Sequence, residues 1–165
     1  MTESNTGKNI PQKHWFALYT KPRHEFKAAE QLYAAGVTYY LPTVTHLKKW
    51  SDRKKKVTEP VLRGYIFIHA NEKERLTSLE QNAIVRCISE RGIPAKIPDW
   101  QIENLRRFLD STSDITVYNV IPHGTKVVIK DGPFQGVVGT VLEEKKEKYL
   151  AVSIKLLNRA VVTYL

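Results

Sequence analysis

The sequence predicts an α+β protein in two parts: a ferredoxin-like β-α-β-β-α-β-α domain, an antiparallel sheet with helices, followed by a small all-β, SH3-like barrel. Three observations predict it. Up to about residue 110, short runs of β-branched and aromatic residues alternate with stretches of helical apolar spacing. From Pro122 onward only short alternating strands follow, separated by glycine and charge. Between the two, Asp110 to Asn119 (D-S-T-S-D-I-T-V-Y-N) keeps no apolar period and reads as a linker. The expected division is a disordered polar tail over 1–13, a first domain over 14–110, a linker over 111–121 and a second domain over 122–165.

His14 to Thr20 (H-W-F-A-L-Y-T) is a short apolar strand. A helix follows, with Thr20 as cap and Pro22 near its first turn, and with Phe26, Ala29, Leu32 and Tyr33 at helical spacing. Gly36 stops it, and V-T-Y-Y-L (37–41) is a strand that Pro42 limits before the chain runs to a basic tip. The returning segment P-V-L-R-G-Y-I-F-I-H-A (60–70) alternates, Ile66 and Ile68 on one face, Tyr65 and Phe67 on the other. Asn71 to Glu74 is a capping box for a short helix that buries Leu76 and Leu79. Ala83 to Ile88 is strand, and Asp99 caps a last helix with Ile102, Leu105, Phe108 and Leu109 on one side, Arg106 and Arg107 on the other. Right-handed crossovers place the helices on one face of the sheet.

In the second part, Val127 and Ile129 alternate, D-G-P-F-Q-G (131–136) is a turn, V-V-G-T-V (137–141) a strand, and E-E-K-K-E-K a charged loop. Leu150, Val152, Ile154 and Leu156 alternate again, and Asn158-Arg159 turns into A-V-V-T-Y-L. Leu142, Lys146, Tyr149, Leu150 and Ile154 also keep helical spacing, while Gly132, Pro133, Gly136 and Gly139 oppose helix nearby.

With 165 residues and 42% hydrophobic content, the chain has room for one domain and a small satellite. Its net charge of +9 points to an anionic partner, nucleic acid ahead of a membrane surface. The field is concentrated between Lys48 and Lys56 (K-K-W-S-D-R-K-K-K), where six of nine residues are cationic. The run alone fits a solvated hairpin end as well as a phosphate contact in which Trp50 stacks on an unpaired base. Lys48, Lys49, Trp50, Arg53, Lys54, Lys55 and Lys56 are the candidate nucleic-acid residues, with Lys21 and Arg23, surface charges at the start of the first helix, as a second group.

Cys87 is the single cysteine and reads as a small apolar strand residue. Without a disulfide framework, a signal segment or a membrane-length apolar run, the chain is expected to be cytoplasmic, monomeric and free of membrane contact. The histidines (His14, His24, His46, His69, His123) are scattered, with neither an i, i+4 pair nor a ligand-spaced Cys or carboxylate nearby. No nucleophile-base set and no phosphate-binding glycine loop stands out, so no metal, no cofactor and no catalytic residue are expected.

H-W-F-A-L-Y-T, E-P-V-L-R-G-Y-I-F-I and I-P-A-K-I-P resemble the N-terminal domain of NusG-type transcription elongation factors, and V-V-I-K-D-G-P-F-Q-G-V-V-G-T-V resembles their KOW motif. W-S-D-R-K-K-K ahead of E-P resembles the specialised UpxY type, relatives of the antiterminator RfaH. The resemblance implies a non-enzymatic antitermination and elongation factor that suppresses pausing at specific operons. Its hydrophobic patch for the clamp helices of the largest RNA polymerase subunit falls on Tyr19, Leu62 and Tyr65, with Trp15 and Phe16 as support. Arg63 stands where the family commonly has proline. Thr77 and Ser78 lie where RfaH-like proteins present polar residues to a second polymerase element. Leu157, Asn158 and Arg159 occupy the place through which the KOW domain recruits a ribosome or termination-factor partner, with leucine in place of the usual aromatic. RfaH also implies a second state of the C-terminal domain, a helical hairpin. The residues themselves leave another class open, a KOW-containing RNA-binding or ribosome-associated module that does not act on polymerase.

Overall fold

Successive residues of the first strand enter different cores. In β1 (His14–Thr20), Phe16 and Leu18 face one side of the sheet, and Trp15, Ala17 and Tyr19 the other, as a two-residue period requires. This computed structural model describes residues 11–165; of the tail expected over 1–13, residues 1–10 lie outside the described residues. The chain continues through α1 (Glu25–Ala34), β2 (Thr38–Tyr40), β3 (Thr43–Trp50), β4 (Arg53–Pro60), β5 (Tyr65–Ala70), α2 (Glu72–Leu79) and β6 (Ile84–Cys87). A two-residue pair, β7 (Ser89–Glu90) and β8 (Ile93–Pro94), leads into α3 (Asp99–Ser111). Then come β9 (Thr116–Tyr118), β10 (Thr125–Val128), β11 (Val138–Glu144), β12 (Glu147–Ile154) and β13 (Arg159–Tyr164).

Strands β2-β5-β1-β6 form a four-stranded sheet whose neighbours are all antiparallel. With β1 and β5 in the middle, this is the order a split β-α-β arrangement requires. Helices α1 and α2 cover one face, where Ala28, Ala29 and Leu32 meet Phe16, Leu18, Ile66 and Ile68. Helix α3 covers the other, so the helices do not share one face as expected. β10-β11-β12-β13-β9 form a second, five-stranded antiparallel sheet. The stretch expected to be a linker is therefore partly ordered: α3 runs to Ser111, and Thr116–Tyr118 pairs with β13. Residues 142–154 lie in a strand pair, not a helix, and Lys145 and Lys146, both at positive φ, form its two-residue turn.

Local expectations fail where tertiary demands compete. α1 starts at Glu25 rather than near Pro22, and its N-cap His24 makes no side-chain bond to the helix, its ring bonding back to Pro22 O instead; Thr20 stays on β1. Phe26 and Tyr33 are exposed. The Asn71–Glu74 capping box is present, but α2 turns Leu76 to solvent and buries Arg75 and Ser78 instead. Asp99 is the first residue of α3, not its cap, and meets the helix dipole there. Arg106 is not on an outer face: its guanidinium lies 4.4 Å over the Tyr40 ring and 5.7 Å from that of Trp15.

Two backbone sites fix the geometry. Gly64, at φ 85°, donates its N–H to the buried Glu25 carboxylate (2.9 Å) and accepts from Thr20 N–H (2.8 Å). A Cβ there would come within 3.2 Å of the Tyr19 ring. Helix α3 buries two stripes. Ile102 and Leu105 pack with Trp15, Ala17 and Phe67, while Gln101, Asn104, Phe108 and Ser111, at helical spacing, form the stripe turned to the five-stranded sheet. There Asn104 donates to Val138 O and accepts from Val138 N, both at 2.7 Å; Phe108 stacks on Phe134, and Ser111 donates to Pro133 O.

Gly64→Ala is expected to cost about 1–3 kcal/mol, because an alanine must hold a left-handed conformation against a ring. Urea unfolding measures it. Asn104→Ala removes both bonds to the Val138 backbone at a part-buried site and is expected to cost about 1 kcal/mol. Amide exchange should show the loss first at Val138, ahead of β1 and β5.

Candidate docking surface and nucleic-acid interface

The loop between β4 and β5 presents the proposed patch. Gly64 turns the chain so that Leu62 lies inward, Arg63 outward and Tyr65 begins β5 directly opposite Tyr19. The two tyrosine rings meet edge to face with centroids 5.5 Å apart, and Arg86 lies 5.5 Å over Tyr19. Both rings are half-buried. Leu62 is only 2% exposed, because the five-stranded sheet closes over it. The Arg159 guanidinium stands 6.0 Å from the Tyr65 centroid. A cavity of about 420 Å³ remains beside them, lined by Val44, Val61, Leu62, Ile115, Val117 and Arg159 among others.

Two groups predicted from separate parts of the sequence are thus brought together. Leu62 and Tyr65 share a cluster with Leu157, and Arg159 stands over Tyr65, while Asn158, left-handed at φ 51°, turns the chain between Leu157 and Arg159 and stays exposed. Arg159 is fixed by donating to Leu157 O at 3.0 Å. Trp15 is on this side of the sheet but 7% exposed, covered by Arg106. Phe16 is a correction: it is in the core beneath α1, on the opposite face, and cannot line the surface that Tyr19 and Tyr65 share. Ser78 is a second one. It is fully buried and donates to Glu74 O at 2.8 Å, so it presents nothing outward. Thr77 is partly exposed, its hydroxyl donating to Lys73 O.

The basic residues stand on β3 and β4, a separate two-stranded ribbon roughly 26 Å long at eight residues per strand. Ser51 and Asp52 form the tip, and Lys48, Lys49, Trp50, Arg53, Lys54, Lys55 and Lys56 are all exposed. The register sets Lys48 opposite Lys55, Lys49 opposite Lys54 and Trp50 opposite Arg53. Like charges directly opposite each other destabilise a ribbon that has no third strand. One cation is partly compensated: Lys48 donates to Glu59 at 2.6 Å, and that bond holds the Glu59 carboxyl below its usual pKa range. Arg23, at φ 62°, and Arg63 line a cleft at the foot of the ribbon, together with Tyr19 and Glu59. Lys21 is tied to Asn82 at 2.9 Å.

Sequence reasoning missed Glu25, Asn104 and Arg106. Asn104 carried a signal, since Gln101, Asn104, Phe108 and Ser111 recur at helical spacing; Glu25 carried none, because its partner Gly64 is remote in sequence. Burial pushes the Tyr40 phenol well above its ordinary range, with Arg106 opposing. Among the described residues no three His, Cys, Asp or Glu side chains form a metal-ligand cluster, and no helix is long and apolar enough to cross a membrane.

Residues 13–106 match the family described as transcription termination factor NusG. Among curated proteins, the transcription termination/antitermination protein NusG of Rickettsia felis is 23% identical, over 97% of this chain and 93% of its own length. That of Rickettsia typhi is 22% identical with the same coverage. A solved structure of Thermotoga maritima NusG, determined for its domain interaction, superposes with a TM-score of 0.51 at 20% identity, covering 93% of both chains. It shares the fold. With more than half its length inside the family match, the chain belongs to the NusG family, which comprises transcription termination and antitermination factors and not enzymes.

Proposed function

We propose that the chain is an antitermination and elongation factor that docks on RNA polymerase through Tyr19, Leu62 and Tyr65, against the clamp helices of the largest subunit. The observation that carries this reading is a pair of tyrosines, edge to face across β1 and β5, left half-wet while their strand neighbours are sealed. Trp15 supports the surface from beneath, and Thr77 offers the only outward hydroxyl of the Thr77–Ser78 pair. Docking then requires the five-stranded sheet, read as a KOW domain on residues 122–165, to withdraw Arg159 from Tyr65. Withdrawal also frees Leu157 and Arg159, beside the already exposed Asn158, for a ribosomal or termination-factor partner. One packed contact thereby covers both surfaces. The cluster of cations at the ribbon tip supports the further reading of a specialised, UpxY-like member acting in the cytoplasm at particular operons.

The ribbon supplies the nucleic-acid contact. Its unpaired cations stand opposite one another along both strands, an arrangement that phosphates relieve.

Capture of core RNA polymerase on the immobilised chain tests the docking surface. Tyr65→Ala should lose capture while keeping the fold, and Asn104→Ala should increase it by loosening the covering sheet. Retention of polymerase by Tyr65→Ala at the wild-type level removes the patch assignment. For the ribbon, replacing Lys54, Lys55 and Lys56 by Glu should abolish crosslinking to the non-template strand of an elongation complex and leave polymerase capture intact. Crosslinking that persists, with its salt dependence unchanged, rules the ribbon out as the DNA contact.

A further inference from the structure

We propose that the cleft between α3 and the five-stranded sheet binds one unpaired nucleotide of single-stranded RNA. It lies apart from the tyrosine patch and from the basic ribbon, and the proposal does not rest on polymerase docking. The cleft holds about 330 Å³, the low end of the ~300–1,000 Å³ usual for small-ligand sites. One wall is Trp100 in the first turn of α3, 52% exposed although its ring has apolar neighbours. Small residues of the sheet, Gly139 on β11 and Ala151 and Ser153 on β12, line the cleft as well, with the 121–124 segment at its rim. An exposed indole at the mouth of a cleft offers a planar ring a stacking surface, and base-aromatic stacking is the interaction that suits it.

Charge and polarity select the occupant. Lys126 and Lys155 line the cleft, and no Asp or Glu does, so the site is complementary to a phosphodiester. Gln101 lines the same cleft, and its side-chain amide makes no hydrogen bond among the described residues. An amide left free at the edge of a cleft is available to a ligand there. With the Ser153 and Thr140 hydroxyls it offers donors and acceptors for a base edge and a ribose 2′-hydroxyl, which favours RNA over DNA. Asn104 sets the width of the cleft by pinning Val138 to α3, acting as a positioning residue.

The test uses the full chain carrying Trp50→Phe and Glu at positions 54, 55 and 56, so that the ribbon neither binds nor reports and its own failure is not confused with failure of the cleft. Fluorescein-labelled octauridylate is titrated by anisotropy, and unlabelled octauridylate by tryptophan quenching. Saturable binding with quenching is expected. Trp100→Ala should weaken affinity about five- to hundredfold, and Trp100→Phe should restore most of it. Lys126→Gln and Lys155→Gln, both at exposed positions, should each lower the slope of log affinity against log salt by about one. Should Trp100→Ala fail to fold, the lysine variants and the quenching of Trp100 decide. Absence of binding, unchanged affinity in Trp100→Ala, or unchanged slopes in both lysine variants overturns the site; equal affinity for the deoxy-octamer overturns the assignment to RNA.

Discussion

Helix α3 is buried on two sides, and the rest of the molecule is arranged by that fact. Ile102 and Leu105 close the open face of the four-stranded sheet, while Asn104, Phe108 and Ser111 hold the five-stranded sheet in place. Without the first stripe, Trp15, Ala17 and Phe67 would lie in water. Without the second, β11 and β12 would be held to the β4–β5 loop only by the contacts of Leu62 and Tyr65 with the sheet. A polar anchor among apolar contacts sets register more than strength, because an amide facing one backbone N–H and one C=O has a single good position, whereas greasy surfaces slide.

The covering of the tyrosine patch follows from this placement. The cation that approaches Tyr65 comes from the turn where Asn158 adopts a left-handed conformation, so the same few residues both end β12 and shield β5. Gly64 holds the other side. Its amide is drawn to Glu25 and its carbonyl to Thr20 N–H, which ties the loop to both α1 and β1. A loop tethered at both backbone groups keeps its shape whether covered or not, and a surface that is already formed loses little entropy on meeting a partner.

Much of the fold was legible because local chemistry and tertiary need agreed. The alternation in β1 and β5, the Asn71–Glu74 box, the glycine stops and the basic ribbon all stand as the residues suggested. The failures have physical causes. Glu25 looked like an ordinary first-turn acid, and its real partner lies 39 residues away. Leu76 yields its buried place to Arg75 and Ser78 because α2 is short and its packed side is set by β6, not by its own apolar period. Thr116–Tyr118 is too brief to show alternation and becomes a strand only because β13 offers an edge. At the site, the covering of Tyr65 was not legible, since nothing local marks Arg159 as its neighbour. The resemblance places Phe16 and Ser78 by position along the chain, without regard to the face that each side chain takes. The two-residue strand period and the three-to-four-residue helix period decide such cases.

The facing lysines of the ribbon have one more consequence. Mobile ions screen repulsion between Lys49 and Lys54 just as they screen attraction to phosphate, so added electrolyte firms the empty ribbon while it loosens the bound one. Rigidity and adhesion in this element therefore respond to ionic strength with opposite sign, and the ribbon is most adhesive under the conditions in which, alone, it is least ordered.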